Sequence, residues 1–442
     1  MEIVIKILQL LLSLSILVII HEFGHYIAAR IFKTRVEKFY LFFNPWFSVF
    51  KFKKGETTYG LGWLPLGGYV KIAGMIDESM DKEQMKQPPQ PWEFRSKPSW
   101  QRLIIMLGGV MMNIVLAVLI YIMMLAVWGE SYLPTENVKY GIVVDSVGAE
   151  LGLRNGDKIV TVDRQRVENF GKIPEKLILD EARTIQIERE GQLIDLEVPA
   201  GFLSRLVKHR SGDFIAPRFP FYVNDFSKDS PAREAGLQKG DQIIGLNEMP
   251  TFYFDEFLSR IGDYPNQEVM VTIVRNSDTL GVDMVVSPEG RIGVFPLSTM
   301  SELFEVREKN YNFIEAIPAG ISKTYYGIGS YFKQLKLIFS PEVKAYESVG
   351  GFITIGSIFP AKWHWPSFWT LTAFLSIMLA ILNVLPIPAL DGGHVMFLMY
   401  EIITRRKPSE KFMEYAQITG MIILFGLLIF ANGNDIIRLF GK

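Results

Sequence analysis

The sequence contains no cysteine among its 442 residues. Disulfide bonds, thiol catalysis and cysteine-ligated zinc fingers are therefore excluded. An excess of either charge is also missing, because 46 Lys and Arg residues against 47 Asp and Glu residues leave a formal net charge of -1. This balance gives no bulk attraction for nucleic acid, and we expect no nucleic-acid partner. A metal ion, if bound, must be held by His, Asp or Glu side chains.

Apolar sequence is abundant: 49% of the residues are hydrophobic, and the mean hydropathy is +0.20. Four runs with few or no charges are long enough to cross a bilayer, since about 20 residues span about 30 Å of hydrocarbon. They are residues 3–32, 103–128, 367–390 and 415–434. The sequence therefore predicts a polytopic α-helical membrane protein with four transmembrane helices. The third run ends in a proline-rich stretch that must interrupt its helix.

Basic residues predict the orientation of these spans. Lys and Arg cluster near the membrane ends of the connection between the first two spans, and the connection between the last two contains Arg405, Arg406, Lys407 and Lys411. Such clusters favour the cytoplasmic side. We therefore expect both connections in the cytoplasm, and both termini and the segment 129–366 outside it.

The outer segment contains an internal repeat. Residues 149–160 (AELGLRNGDKIV) return 84 residues later at 233–244 (REAGLQKGDQII). Each copy predicts a helix ending at glycine, a tight Gly-Asp turn and a strand. The pattern resembles the G-L-x-x-G-D-x-I signature of bacterial PDZ domains and predicts two inserted α+β PDZ domains, at 129–203 and 204–297. The loops that would hold a peptide carboxylate lack the usual sequence, so peptide capture and a steric or regulatory role both stay open.

Two further regions connect these parts. Residues 57–75 mix aromatic, β-branched and glycine residues. They predict short strands or a hairpin dipping toward the membrane, and an ordinary surface hairpin fits equally well. Residues 298–366 predict amphipathic helices at the membrane interface, with an extra packing helix as the alternative. Residues 1–128 would then hold the first two spans and the β-rich loop, and residues 367–442 the last two spans.

Charged and polar side chains interrupt the first apolar run at His21-Glu22-Phe23-Gly24-His25. Residues four apart lie on one face of a helix, so both imidazoles can reach one metal ion, and Glu22 can take a proton from water beside it. Asp391 follows the third, uncharged run and is expected at the same depth. His21, His25 and Asp391 would then form a zinc site with one open position for water. A structural hydrogen bond between His and Glu is the alternative reading of the first motif.

Several motifs together resemble one family. They are HEFGH at 21–25, PLGGYVK at 65–71, FRSKPSWQR with GGVMMN within 94–113, the paired repeats, and NVLPIPALDGGH at 383–394. This set resembles the site-2 protease family of intramembrane zinc metalloproteases, in particular the bacterial regulator of sigma-E protease type. The resemblance covers essentially the whole chain, with Gly108-Gly109 in place of the common Gly-Pro pair as a small departure.

The resemblance implies a role for named residues. His21, His25 and Asp391 would bind one Zn2+ per chain, and Glu22 would be the general acid and base. A hairpin around residues 59–72 would hold the substrate extended by strand addition. The implied substrate contacts are Asn383, Pro386, Pro388, Tyr59, Gly67, Gly68 and Tyr69. His394, three residues past Asp391, receives no assigned role.

The resemblance also implies a reaction. It is hydrolysis of peptide bonds within or near transmembrane segments of single-span proteins, after another protease has trimmed their outer part. Anti-sigma factors or remnant signal peptides would be substrates, and the site of action would be the lipid bilayer of the bacterial cytoplasmic membrane. The alternative is a PDZ-based membrane scaffold with a non-catalytic zinc site. The intact Glu22 counts against that alternative, because a structural site needs no base.

Overall fold

The computed structural model describes residues 1–65, 67–75, 87–209, 214–340, 343 and 350–440. The chain divides into two compact units, each formed from separate stretches of sequence. The helical unit comprises Met1–Gly129, Asn310–Leu335 and Val349–Lys442, and the sheet unit comprises Glu130–Lys309 and Lys336–Ser348.

The helices range from single turns to long apolar rods. In chain order they are α1 (Glu2–Ile31), α2 (Ser99–Trp128), α3 (Ser146–Glu150), α4 (Ile173–Leu179), α5 (Phe202–His209), α6 (Pro231–Glu234), α7 (Phe254–Ile261), α8 (Met300–Leu303), α9 (Phe313–Ile338), α10 (Phe352–Ser357), α11 (Trp365–Val384), α12 (Asp391–Thr404) and α13 (Glu410–Phe440).

Four of the helices in the described ranges are long and apolar enough to cross a membrane, namely α1, α2, α11 and residues 411–440 of α13. This confirms the prediction of four long apolar helices. The third ends at Val384, earlier than the predicted limit of residue 390. Pro386 and Pro388 explain the early end, because proline lacks a backbone donor and disfavours helix in the residue before it.

The strands belong to both units. They are β1 (Val36–Leu41), β2 (Phe50–Lys54), β3 (Thr57–Leu61), β4 (Tyr69–Ile72), β5 (Glu130–Tyr132), β6 (Ile142–Val144), β7 (Lys158–Val162), β8 (Thr184–Arg189), β9 (Gln192–Glu197), β10 (Ile215–Pro217), β11 (Phe221–Phe226), β12 (Gln242–Leu246), β13 (Met249–Pro250), β14 (Glu268–Arg275), β15 (Asp278–Val285), β16 (Val294–Pro296) and β17 (Arg307–Lys309).

Glycines bring α1 and α2 together in the helical unit. A Cβ at Gly24 would lie 2.1 Å from the carbonyl oxygen of Gly108, and a Cβ at Gly108 would lie 2.5 Å from the oxygen of Gly24. Only residues without side chains allow this approach, which is typical of helices that pack within membranes. The close contact places the backbone of α2 beside the part of α1 that carries His21 and His25.

A four-stranded sheet in the order β2-β3-β1-β4 completes the helical unit beside α1. Strands β2 and β3 form a hairpin, while β1 pairs in parallel with β3 and antiparallel with β4. The predicted short strands within residues 57–75 are present, but they do not form one hairpin. The earlier strand β1, with its fully buried Val36, lies between β3 and β4 and pairs with both.

The sheet unit contains two buried clusters. The first includes Ile142, Ile185, Leu206 and Phe214, and the second extends from Phe221 to Val294. Strands β7-β8-β9 belong to the first part, and β15-β14-β12-β11-β16, with β13 paired to β12, to the second. Residues just after the predicted boundary at 203/204 thus pack with the first cluster. The assignment of two PDZ domains stays a prediction.

The repeat has the same local structure in both copies. Helices α3 and α6 are each followed by a glycine of positive φ, Gly152 and Gly236, and each Gly-Asp turn leads directly into a strand, β7 or β12. The aspartate of each turn is buried and paired with an arginine of a later strand: Asp157 with Arg189, and Asp241 with Arg275. The repeated sequence therefore codes for a repeated internal ion pair.

Candidate metal centre

The second half of α1 supplies two imidazoles to one point. His21 and His25 are four residues apart, so they lie on the same helical face, and both are buried. Their Nε2 atoms are 3.3 Å apart. The spacing predicted from the sequence is thus realised by an unbroken helix.

The loop after α11 supplies a carboxylate to the same point. Residues 385–390 are non-helical, and Asp391 is the first residue of α12, where the helix dipole favours a negative charge. Gly392 and Gly393 allow the loop to fold back, because a Cβ at Gly392 would lie 2.1 Å from the Leu385 carbonyl oxygen. Ala389 adopts a φ of 94°, a strained value for a residue with a side chain.

The three side chains fit the requirements of a zinc ion. Asp391 Oδ2 lies 3.2 Å from Nε2 of His21 and 3.2 Å from Nε2 of His25. Ligand atoms about 2.0–2.1 Å from a tetrahedral zinc are about 3.3 Å from one another, close to all three separations. Asp391 Oδ2 is also buried without a hydrogen bond of regular geometry to any described residue. A buried anionic oxygen in this state is suited to bind a cation.

Groups on neighbouring elements orient the two imidazoles. His25 Nδ1 is 2.9 Å from the carbonyl oxygen of Ile105, so it must donate. In the neutral ring, Nε2 is then the nitrogen available to a metal. The Asn113 amide nitrogen Nδ2 is placed 3.1 Å from His21 Nδ1, and the amide oxygen Oδ1 has no hydrogen-bond partner in the described structure. With the amide turned so that Oδ1 accepts from Nδ1, His21 presents Nε2 in the same way. A polar Asn113 within the apolar helix α2 thus reaches across to α1.

Gly109 makes room for both rings. A Cβ at this position would lie 2.5 Å from His25 Nε2 and 2.6 Å from His21 Cε1. The residue pair Gly108-Gly109 therefore has two separate functions, because Gly108 contacts the backbone of α1 and Gly109 contacts the rings. The signal available in the sequence was the pair of small residues in an apolar helix, which is typical of helix interfaces.

A cavity of about 440 Å³ opens beside these ligands. Its lining includes His21, Glu22, His25 and Asp391, together with residues 68–72 of β4 and its preceding loop. Glu22 lies against the loop before β4, since a Cβ at Gly68 would be 3.4 Å from the Glu22 Cγ. A potential base, three metal-binding groups and one edge of a sheet thus meet at one cavity.

The predicted substrate contacts are distributed unevenly around this cavity. Gly68 and Tyr69 line it, and the Asn383 amide lies 3.4 Å from His21 Nε2. Tyr59 is 2.9 Å from Tyr26 through their hydroxyl groups, on the sheet face that packs against α1. The lining formed by the described residues does not include Asn383, Tyr59, Gly67, Pro386 or Pro388.

Known proteins with similar sequences match almost the whole of this chain. The sequence profile of peptidase family M50 matches residues 9–427. A protein of Neisseria meningitidis with the provisional name zinc metalloprotease is 28% identical over 98% of this chain and 99% of its own length. The regulator of sigma E protease of Haemophilus influenzae is 26% identical over 97% of this chain and 98% of its own, and that of Salmonella typhimurium, RseP, is 26% identical with the same coverage.

Proposed function

The chain belongs to peptidase family M50 as a zinc metalloprotease of the site-2 type, and from this premise we propose that it hydrolyses peptide bonds within or near transmembrane segments of single-span membrane proteins. The observation that carries the proposal is the meeting of His21, His25 and Asp391 in a unit that has four long apolar helices. A hydrolytic centre in this position reaches substrates that are themselves embedded in lipid.

The metal-binding residues are proposed to be His21, His25 and Asp391, with one zinc ion per chain. Zinc held there would supply Lewis-acid chemistry, polarising a peptide carbonyl and making water acidic enough to lose a proton near neutral pH. The Ile105 carbonyl and the Asn113 amide hold the two rings with Nε2 toward the same point. Their contribution is to fix the ligands before the ion arrives.

Glu22 is proposed as the residue that moves the proton. It is half-buried, lines the same cavity as the three proposed ligands, and lies against Gly68 in the loop before β4. There it would take a proton from the attacking water and return it to the amine that leaves when the C–N bond breaks. A purely structural metal site would have no use for this carboxylate.

Strand β4 is proposed to hold the substrate. A transmembrane helix uses its carbonyls in its own hydrogen bonds, so the segment to be cut must unwind first. Strand β4 is at one end of the sheet order, and among the described strands its outer edge has no partner. An unwound segment can add to that edge by main-chain hydrogen bonds, next to Glu22. Asn383, near His21, is proposed to contact the same segment.

The wider physiological role is proposed by similarity. Two relatives bear the name regulator of sigma E protease, which supports regulated proteolysis of an anti-sigma-factor-like protein, or removal of remnant signal peptides, in the bacterial inner membrane. The sheet unit is proposed to consist of two PDZ domains outside the cytoplasm. They would limit access to substrates already shortened by another protease.

Glu22→Gln tests the proposed function. Purified full-length protein, zinc-loaded and reconstituted in lipid, would be incubated with a single-span substrate protein, and zinc content would be measured in parallel. We expect the variant to retain zinc and to lose cleavage by a factor of about 100 or more, the usual contribution of general acid–base catalysis. Cleavage at the wild-type rate would overturn the role of Glu22. Zinc-loaded wild-type protein that cleaves no membrane substrate would favour a scaffold function instead.

A further inference from the structure

The sheet of the helical unit has two chemically different faces. Alternate residues of a strand point to opposite sides, and directly paired residues share a side. Phe39, Phe52 and Tyr59 are on the side of Tyr26, with which Phe39 and Tyr59 are in ring contact. The register pairs Lys38 with Lys71, so both lysines are on the opposite side. One face thus packs on α1 and the other presents basic groups.

Two lysines of the basic face also line the metal-site cavity. Lys38 and Lys71 are part of the lining that contains His21, His25 and Asp391. Lys38 is exposed and has no ion pair within the described residues, whereas Lys71 lies 3.7 Å from Glu37. The acidic groups of the lining, Glu22 and Asp391, already serve the metal centre. The Lys and Arg residues of the lining are Lys38 and Lys71, so basic groups are in position to meet a substrate side chain.

We propose that Lys38 and Lys71 form a subsite for an acidic side chain of the substrate, so that Asp or Glu is preferred over Lys or Arg at one position near the cleaved bond. This inference rests on the proposed function, in which the substrate adds to the edge of β4. The substrate residue directly opposite Lys71 would share its face, with Cβ atoms about 5 Å apart. Its neighbours on either side would point away from both lysines.

The position of the lysines favours a peptide over a lipid headgroup as the ligand. Lys71 is on the edge strand itself, and both lysines border the cavity where a peptide carbonyl must be attacked. Opposite charges facing each other across two strands attract, and like charges repel by a similar amount. We therefore expect about a tenfold difference between Glu and Lys at the critical position, equivalent to about 1.4 kcal/mol.

A charge scan of the substrate tests the subsite. One Glu, Gln or Lys is moved through the positions flanking the cleaved bond of a single-span substrate, and kcat/KM is measured with full-length enzyme in neutral lipid. We expect kcat/KM to be higher with Glu than with Lys at alternate positions of the substrate, and the ratio of the two values to be largest at one of these positions. The double variant Lys38→Gln, Lys71→Gln should reduce that ratio to about one, and Lys38→Gln alone should reduce it in part. Lys71→Gln removes the partner of Glu37 and so could impair folding. Lys38→Gln alone leaves that ion pair intact and still tests the subsite.

Lys51 and Lys53 provide a matched control. They share the basic face through their pairing with β3, but they are on the far strand β2 and outside the described cavity lining. Lys51→Gln with Lys53→Gln should leave the ratio unchanged. An unchanged ratio in the Lys38 and Lys71 variants would overturn the subsite, as would an equal fall in the control. A ratio that appears only with anionic lipid would indicate headgroup binding instead. Absence of any cleavage by the wild type would count against the proposed function, not against the subsite alone.

Discussion

Buried carboxylates are treated differently in the two units. In the sheet unit, Asp157 accepts hydrogen bonds of 2.7 and 2.8 Å from Arg189, and Asp241 accepts bonds of 2.7 and 2.6 Å from Arg275. In the helical unit, Asp391 Oδ2 faces two imidazole nitrogens at 3.2 Å and has no hydrogen bond of regular geometry to the described residues. In the sheet unit each of these carboxylates is paired with an arginine, whereas Asp391 has no arginine or lysine partner among the described residues.

The apolar surroundings of the helical unit do not by themselves explain why Asp391 lacks an arginine partner. Glu401 is in the same helix as Asp391. It is buried, as the Asp391 Oδ2 atom is, yet it pairs with Arg102 and accepts a hydrogen bond of 2.9 Å from Ser99. Helix α12 thus contains one carboxylate that is satisfied by protein groups and one that is not. A buried charge without regular hydrogen bonds is costly, and its place beside two imidazoles is one that suits a cation.

The largest effect is expected from Asp391→Asn. The change keeps the size of the side chain but removes the negative charge of the proposed ligand. Zinc affinity should therefore fall by more than about 100-fold, since even outer partners of ligands contribute about 10- to 100-fold. Cleavage should be lost with it. Zinc content after dialysis against a graded chelator series measures the first effect, and turnover of a single-span substrate the second.

Glu401→Gln is the matched control for Asp391→Asn. It removes a carboxylate from the same helix and leaves Arg102 buried without its partner. The helical unit should lose about 3–5 kcal/mol of stability, but the protein that remains folded should bind zinc normally. Equal loss of zinc in both variants would mean that the effect of Asp391→Asn is a folding defect and not the loss of a ligand.

A smaller effect is expected from Asn113→Ala. Its amide is the contact to His21 Nδ1, and its removal should lower zinc affinity by about 10- to 100-fold without removing a ligand. Asn113→Asp retains an acceptor and should recover most of this affinity. Metal competition measurements on both variants distinguish orientation of the imidazole from simple packing. Similar affinities for the two variants would argue for packing.

The residues of the candidate metal centre differ in how far the sequence could predict them. His21, Glu22, His25 and Asp391 are rare charged or polar groups in apolar runs, so their chemistry was visible without the fold. Asn113 depended on which helix lies beside α1, and that is decided by the backbone contact between glycines. Such long-range packing has no local sequence signal.

Strand order illustrates the same limit in the fold. The apolar runs and Pro386 predicted the four long helices and the break after α11, because both depend on local composition. Adjacency in sequence suggested a hairpin within residues 57–75, but β1 separates the two strands. From the sequence, Lys38 is one of several basic residues between the first two spans that favour the cytoplasmic side. Its place in the cavity follows from the pairing of β1 with β4.

The smallest effect is expected in the sheet unit, where acid should weaken the buried pair of Asp241 and Arg275. Burial by itself would raise the pKa of Asp241, but hydrogen bonds from Arg275 and from the Gln238 N–H outweigh it and hold the pKa below its usual range. The charged form is therefore favoured by folding. Its stabilising contribution is complete above the unfolded pKa of about 4 and is lost as the pH falls through the lower folded value.

Asp241→Asn should consequently weaken the second repeat at neutral pH and flatten its response to acid. Arg275 reaches solvent in part, so the loss should be about 1–3 kcal/mol rather than that of a fully buried pair. Hydrogen exchange of residues 236–246 in the full-length protein, between pH 7 and pH 3, measures both effects. Asp157→Asn is the comparison in the first repeat, where protection of residues 152–162 should fall while the second repeat and the zinc content stay unchanged. If wild type and Asp241→Asn lose protection equally between pH 5 and pH 3, the ion pair does not govern the acid response, and the buried carboxylates of the sheet unit would need another explanation.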